Sequence, residues 1–274
     1  MTAGGGVDAF GSWPPGTAPS VADLRQHLIV TRIAGDVATT RENNLRNFGL
    51  MSARDPGYLF GLRPRGPWTP PDVLALMHQR VGVQADPVHA EGQDTIDPDR
   101  TIDRLDAMAE RLRLAVERQE RVILATGHPG GIGVIHLEVA RVLRDRGCQI
   151  LAPAEGSRFS EGDRRRHVRY FAGVAVAASG ASLHHTHSPA PMEAMLAELA
   201  STGQPPPDLV FGDHGWAGAA GQAGIDSVGF ADCNDPALFV GEAEGTVLVS
   251  VPADDNVRPR LYAPMTAYLL RHVY

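Results

Sequence analysis

From Arg121 to the C-terminus, short apolar runs alternate with helix-like segments, and this alternation constrains the fold more than any other feature of the sequence. The runs are continuously apolar, which is typical of strands buried on both faces. Strands that alternate with helices of about 10 to 15 residues predict βαβ units. We therefore expect an α/β fold with a mostly parallel, Rossmann-like three-layer sheet. Its predicted strands span 121–127, 149–156, 173–179, 207–214, 225–236 and 246–256; the arginine-rich stretch 164–171 is predicted as a loop.

The first 120 residues have a different pattern. Residues 1–20 are rich in glycine, proline and alanine, which predicts a flexible tail. Residues 21–120 predict a mostly helical flank, and its strongest helix lies in 97–120, where Ile102, Leu105 and Leu112 share one face. We expect this flank to join the core, 121–274, in one compact unit.

Composition excludes several function classes. The formal net charge of −7 argues against a nucleic-acid partner. All 25 basic residues are arginine, so mechanisms that need a lysine amine are excluded. Two cysteines, the lack of a signal-peptide pattern and the lack of a membrane-length apolar run predict a cytoplasmic protein without a membrane partner.

Polar residues follow five of the predicted strands, at the edge where ligands bind in open parallel sheets. His185 and His187 would lie on one side of an extended segment and could share a divalent metal ion such as Mg, Mn or Zn. The predicted ligand set adds side chains from the ends of two later strands: Asp213, Asp232 and Asn234. Two alternatives stay open: histidines that line a polar pocket without metal, and an all-oxygen magnesium site that includes Asp235. His128 and His214 are the candidates for general acid or base.

The segment TGHPGGIG, 126–133, matches the glycine fingerprint of short-chain dehydrogenases, with Glu155 placed as a ribose-binding acid. Those enzymes need a lysine, which this chain lacks, so we discount hydride transfer. The amides of Gly130 and Gly131 remain candidates for binding phosphate, and a simple tight turn is the alternative.

A second candidate for phosphate binding lies in the helical flank. Arg41, Asn44 and Arg46 could contribute to a phosphate pocket, although a solvated helix face is the ordinary interpretation of such a cluster.

Several segments together resemble an actinobacterial protein family labelled "phosphatase". They are AGDVATTRENNLRNF, ATGHPGG, GASLHHTHSP, DHGWAGAAGQAGI, ADCNDPAL and DDNVRPRLY. The resemblance implies hydrolysis of a phosphomonoester, and it assigns no catalytic role. We expect the substrate to be a small phosphorylated metabolite and the reaction to be metal-dependent. The alternatives are a sugar-phosphate isomerase or lyase and a sensor that binds without turnover. The small-residue segment 217–224 is compatible with a homodimer contact or with packing inside one chain.

Overall fold

The computed structural model describes residues 17–273, so residues 1–16 of the predicted tail lie outside the described part of the chain. The fold is a mixed α/β fold. Within the described range the strands are β1 to β11, in chain order Gly35–Thr40, Gln93–Ile96, Arg121–Thr126, Gln149–Ile150, Arg158–Glu161, Arg164–Phe171, Val174–Ser179, Ser182–His184, Leu209–Asp213, Asp226–Ala231 and Val249–Pro252. The α-helices there are α1 to α9: Val21–Val30, Arg41–Ser52, Pro70–Arg80, Pro98–Arg118, Gly133–Asp145, Ala190–Ser201, His214–Gln222, Pro236–Ala243 and Ala263–Leu270.

Six strands of the large sheet are mutually parallel: β11-β10-β9-β3-β7 in that order, and the short β4 beside β3. The chain first adds β4 and β7 on one side of β3 and then crosses to β9 on the other side. The carboxyl ends of β3 and β9 therefore flank the point where the strand order reverses, which is where open α/β sheets form a ligand crevice.

The other edge of this sheet is antiparallel, which corrects the sequence prediction. Residues 164–171 form β6 and not a loop, and β5, β6, β7 and β8 pair antiparallel in turn. The predicted strand 149–156 is reduced to the two residues of β4. An antiparallel strand can leave one face in water, so β6 carries arginines where a strand buried on both faces would carry apolar residues.

Apolar side chains cover both faces of the parallel strands. Along β3, Val122 and Leu124 belong to one hydrophobic cluster, while Ile123 and Ala125 belong to another. The first cluster also contains Leu24 and other residues of the first 120, so the flank and the sheet share one core. The small-residue helix α7 is buried inside the chain against β9 and β10.

The flank contains four α-helices and the antiparallel pair β1 and β2, which the sequence analysis did not predict. Strand β1 ends at Thr40, whose side chain accepts a hydrogen bond from the Asn43 N–H and so caps α2. This turn brings residues 38 and 39 to the carboxyl edge of the large sheet. Within residues 17–273 we find no helix of the length and apolar character that a membrane span requires.

Candidate functional site

A cavity of about 350 Å³ opens at the carboxyl ends of the parallel strands. Four loops and the end of β1 surround it, so segments that are far apart in the chain supply its wall. The lining residues are Ala38, Thr39, His128, His185, His187, Asp232, Asn234, Asp235, Asp254, Asp255, Asn256 and Val257. The cavity is therefore lined by acids that the prediction left out of its metal set and by five of the predicted site residues: His128, His185, His187, Asp232 and Asn234.

His214 lies beneath this cavity and connects its two sides. The residue is 1% exposed, and its ring lies 4.5 Å from that of His187 in a stacked arrangement and 4.6 Å from that of His128. Its Nδ1 is 3.3 Å from Asp213 Oδ1 and its Nε2 is 3.0 Å from Asp235 Oδ2. Burial opposes the charged imidazolium, but Asp235 and Asp213 outweigh burial and raise the pKa of His214 well above its ordinary value.

Asp213 is fully buried behind His214 and does not line the cavity. Thr126 Oγ1 donates to its Oδ2 at 2.6 Å, and the Gly127 N–H donates to its Oδ1 at 2.5 Å. Because both oxygens already accept hydrogen bonds, Asp213 can hold the imidazole of His214 in place. The structure therefore places this predicted metal ligand behind the cavity wall.

The turn from β9 into α7 has an unusual backbone that depends on the sequence Asp213-His214-Gly215. His214 has φ of 42°, in the left-handed region that few residues with a side chain adopt. A Cβ on Gly215 would lie 2.4 Å from the carbonyl oxygen of His187, so the loop that carries His187 can cross here only over a glycine. This close approach explains how two distant histidines become stacked.

Among residues 17–273, three groups of side chains have ligand-type atoms within 4.8 Å of one another. His128, His185 and His214 form the first group; His187, His214 and Asp235 form the second; Asp232, Asp254 and Asp255 form the third. The predicted ligands His185 and His187 thus belong to different groups that meet at His214. The nitrogen donors of the first two groups suit Zn or Mn, and the all-carboxylate third group also suits Mg.

The three carboxylates of the third group are each at most 5% exposed. Burial, and then the nearby charge of Asp254, raise the pKa of Asp232 to about 7. Burial also raises the pKa of Asp254 and raises that of Asp255 well above the ordinary value. Buried like charges repel one another, so this group would gain stability from a cation.

The histidines of the cavity wall favour the neutral form. Burial, followed by the charge of His214, lowers the pKa of His128 to about 2 and that of His187 to about 3. Burial also lowers the pKa of His185. Metal ions bind the neutral imidazole, so this electrostatic environment suits ligands.

The glycine turn after β3 differs from the predicted phosphate cradle. The Gly131 N–H donates to the carbonyl of His128, and a Cβ on Gly131 would lie 2.3 Å from the carbonyl oxygen of Asp255. Gly131 thus serves a tight turn and the close approach of the Asp255 loop, while Gly130 is exposed. Glu155 is exposed after the shortened β4, away from a strand end.

The phosphate cluster predicted in the flank is not brought to the cavity. Arg41 is fully buried in an ion pair with Asp94, and its NH1 lies 2.9 Å from Asp94 Oδ2. Asn44 donates to the same carboxylate, and its Nδ2 is 3.4 Å from Cys233 Sγ. Arg46 is exposed and donates to the Tyr58 hydroxyl. None of these three lines the cavity among the described residues.

Several cavity residues were missed or underrated by the sequence analysis. Asp254 and Asp255 lie at the end of the predicted strand 246–256 but are given no role there, and Asp235 is given only as an alternative ligand. Thr39 was missed because β1 was not predicted; its hydroxyl donates to Asp232 Oδ2 at 2.5 Å. No local signal marks Thr39, since its partner lies 193 residues away in the chain.

Comparison with known proteins then decides the family. The sequence model of the family described as Phosphatase matches residues 19–274. The chain belongs to this phosphatase family. It is also 55% identical over 258 residues to Phosphatase SCO2771 of Streptomyces coelicolor, which covers 93% of this chain and 97% of the relative. The resemblance predicted from the sequence is therefore confirmed: this phosphatase acts on a phosphorylated substrate, and the cavity is its candidate active site.

Proposed function

We propose that this phosphatase hydrolyses phosphomonoesters of small metabolites and that it requires a divalent metal ion in the cavity. The observation that carries the proposal is that all three ligand groups reach the same cavity. Metal-assisted hydrolysis needs such a concentration of neutral imidazoles and carboxylates. Family membership favours hydrolysis over the isomerase, lyase and sensor alternatives.

Two buried atoms support the fit of a cation. His128 Nδ1 and Asp255 Oδ2 lie 3.3 Å apart, and neither has a hydrogen-bond partner among the described residues. Buried polar atoms are nearly always satisfied in folded proteins, so unpaired atoms that face each other favour a missing partner. A divalent cation meets the needs of both atoms, since each offers a lone pair.

The chain's own residues have distinct tasks in this proposal. His128, His185, His187, Asp232 and Asp255 would hold the metal, with Asn234 beside them on the wall. When bound, a divalent ion would polarise a phosphate oxygen and lower the pKa of a water molecule. His214 would fix the orientation of the wall histidines through stacking, while Asp213 and Asp235 hold its two nitrogens. Thr39 would orient Asp232.

The size of the cavity favours a small substrate. A volume of about 350 Å³ lies near the lower end of ligand sites, which span roughly 300 to 1,000 Å³. A phosphorylated metabolite of a few carbon atoms fits this volume.

Phosphate release tests the proposal directly. Protein stripped with EDTA should be inactive on a panel of phosphomonoesters, and Mg, Mn or Zn should restore turnover. His187→Ala should abolish this activity and lower the metal content of the purified protein, whereas His89→Ala, an exposed histidine outside the cavity, should change neither. Full activity of His187→Ala, or undiminished turnover in EDTA, would contradict the proposal. A thermal shift with substrates but no turnover under any metal would favour a sensor.

A further inference from the structure

The hairpin formed by β5 and β6 contains a concentration of positive charge. Between residues 158 and 171 it has five arginines and two carboxylates, Glu161 and Asp163, in a chain whose net charge is −7. Within the described part of the chain, none of the five arginines has a carboxylate oxygen within 4.0 Å. They are Arg158, Arg164, Arg165, Arg166 and Arg169.

Outside the hairpin, eleven of the other twenty arginines in the described part of the chain have a carboxylate oxygen within 4.0 Å, and nine do not. Arg41 and Arg111 have buried carboxylate partners, and even the partly exposed Arg113 contacts both Glu110 and Glu117. The hairpin differs in density, since it has five arginines without a carboxylate partner within fourteen residues, so positive charge is concentrated there.

Arg166 is the most informative of the five. It is only 9% exposed, and its Nε has no hydrogen-bond partner among the described residues. The buried Nε of Arg166 has lost contact with water and gained no partner, which is unfavourable. A bound anion would supply that partner.

The strand register places Arg164 and Arg166 on the face that meets the active site. Glu161 pairs directly with Arg164, and Phe159 pairs with Arg166, so these four side chains share one face of the hairpin. The Glu161 carboxylate accepts hydrogen bonds from the Thr186 hydroxyl, at 2.9 Å, and from the His187 N–H, at 3.3 Å. The hairpin face is thereby attached to the loop that carries a cavity histidine, while Arg165 points to the opposite face.

The cavity wall has no comparable partner for a second anion. Its lining among the described residues has histidines and acids but no arginine. One phosphoryl group can be held there by the proposed metal, and a second anionic group would face carboxylates. The hairpin face attached to the His187 loop supplies arginines without carboxylate partners.

We propose that Arg164 and Arg166 form a subsite for a second phosphate of the substrate, whose first phosphate is hydrolysed in the cavity. This inference rests on the proposed function, since it assumes that the cavity is the hydrolytic site. Guanidinium groups bind phosphate with paired, charge-assisted hydrogen bonds, which suits this role. The preferred substrate class is then a small metabolite with two phosphate groups.

A matched pair of sugar phosphates tests the subsite. Glucose 1,6-bisphosphate and glucose 6-phosphate differ by one phosphate, and the measured quantity is the ratio of their kcat/KM values with the activating metal. We expect the wild type to prefer the bisphosphate, and Arg164→Gln and Arg166→Gln each to lower this ratio by about tenfold or more. Arg165→Gln, on the opposite face of the same strand, should keep the wild-type ratio. An unchanged ratio in both variants, or an equal fall in Arg165→Gln, would overturn the subsite.

Binding measurements test the subsite independently of turnover. Isothermal titration of the metal-loaded protein compares the affinities of the same two sugar phosphates. Wild type and Arg165→Gln should each bind the bisphosphate at least about tenfold more tightly than the monophosphate. Arg164→Gln should bind the two compounds with similar affinity. Equal binding of both compounds to wild type refutes the subsite even if turnover is seen. Absence of turnover of any phosphomonoester under every metal counts instead against the proposed function. Because Arg166 lacks a counter-charge, the melting temperature of Arg166→Gln should be no lower than that of wild type. If Arg166→Gln does not fold, the exposed Arg164 still allows the test through Arg164→Gln.

Discussion

This phosphatase has two clusters of buried charged side chains, one around Asp94 in the flank and one in the cavity. The polar atoms of the Asp94 carboxylate all have hydrogen-bond partners, whereas some of those in the cavity do not. In the flank, Asp94 Oδ2 accepts from Arg41 and Asn44, and Oδ1 accepts from the Gln84 and Thr95 amides, all at 2.9 to 3.0 Å. In the cavity, His128 Nδ1 and Asp255 Oδ2 face each other without a hydrogen bond. Burial of charge therefore does not by itself mark a site; these two clusters differ in whether the bonding capacity of their buried polar atoms is met.

The clusters also differ in charge balance. Arg41 and Asp94 neutralise each other, and Asn44 extends this network to Cys233, next to the cavity acid Asp232. The cavity instead collects several carboxylates around a single charged histidine, His214. The flank cluster is thus suited to hold the fold, and the cavity cluster is suited to bind a cation.

The largest effect should come from removing a cavity carboxylate. Asp255→Asn should lower kcat/KM for phosphate release at least about a thousandfold, which corresponds to about 4 kcal/mol, because a proposed metal ligand is lost. Its melting temperature in EDTA should not fall, since repulsion with Asp232 and Asp254 is relieved. Asp36→Asn, an exposed acid on β1, serves as the control. Near-normal turnover by Asp255→Asn would show that the unpaired carboxylate is not functional.

The opposite result is expected in the flank. Asp94→Ala leaves the Arg41 guanidinium buried and unpaired, so the free energy of unfolding should fall by about 3 kcal/mol in a urea titration. Glu110→Ala, which breaks an exposed pair with Arg113, should cost about 0.5 kcal/mol or less. Equal unfolding free energies of the two variants would show that the buried Arg41–Asp94 pair does not stabilise the fold more than an exposed pair does.

A smaller effect should follow where the flank meets the cavity. Thr39→Val removes the hydrogen bond to Asp232 Oδ2, and we expect kcat to fall about tenfold because the carboxylate is less well oriented. Thr39→Ser keeps the hydroxyl and should restore most of the rate. Steady-state kinetics at saturating metal measures both; a valine variant as active as the serine variant would remove Thr39 from the site.

The smallest effect concerns pH. Burial raises the pKa of Asp94, but hydrogen bonds from the Gln84 amide, Arg41 and Asn44 outweigh burial and leave that pKa below its ordinary value. A lowered pKa contributes stability above the unfolded value, near 3.9, and this contribution is lost as pH falls through the folded value. The gap in unfolding free energy between wild type and Asp94→Asn should therefore be constant above about pH 5 and shrink in acid. A gap that widens in acid would contradict this sign.

The sequence predicted most of the parallel strands and the polar residues that follow them, because continuous apolar runs and the polar residues after them are local signals. It failed at the antiparallel edge, where arginines of the solvated strand β6 hid the strand pattern. It also placed Arg41 and Asn44 in a phosphate site, since a polar helix face looks the same in sequence whether its partner is a ligand or Asp94. The domain boundary near residue 120, the homodimer and the cytoplasmic location stay predictions.

The sequence by itself determined the alternation of strands and helices, the absence of lysine chemistry and the membership in a phosphatase family. Only the tertiary structure decided which acids face the cavity: Asp213 turned behind His214, while Asp254 and Asp255 joined Asp232. The physical reason is that a side chain's direction and partners depend on contacts between segments far apart in the chain, as between Thr39 and Asp232. Local pattern fixes where a strand ends, and packing fixes what its last side chains meet.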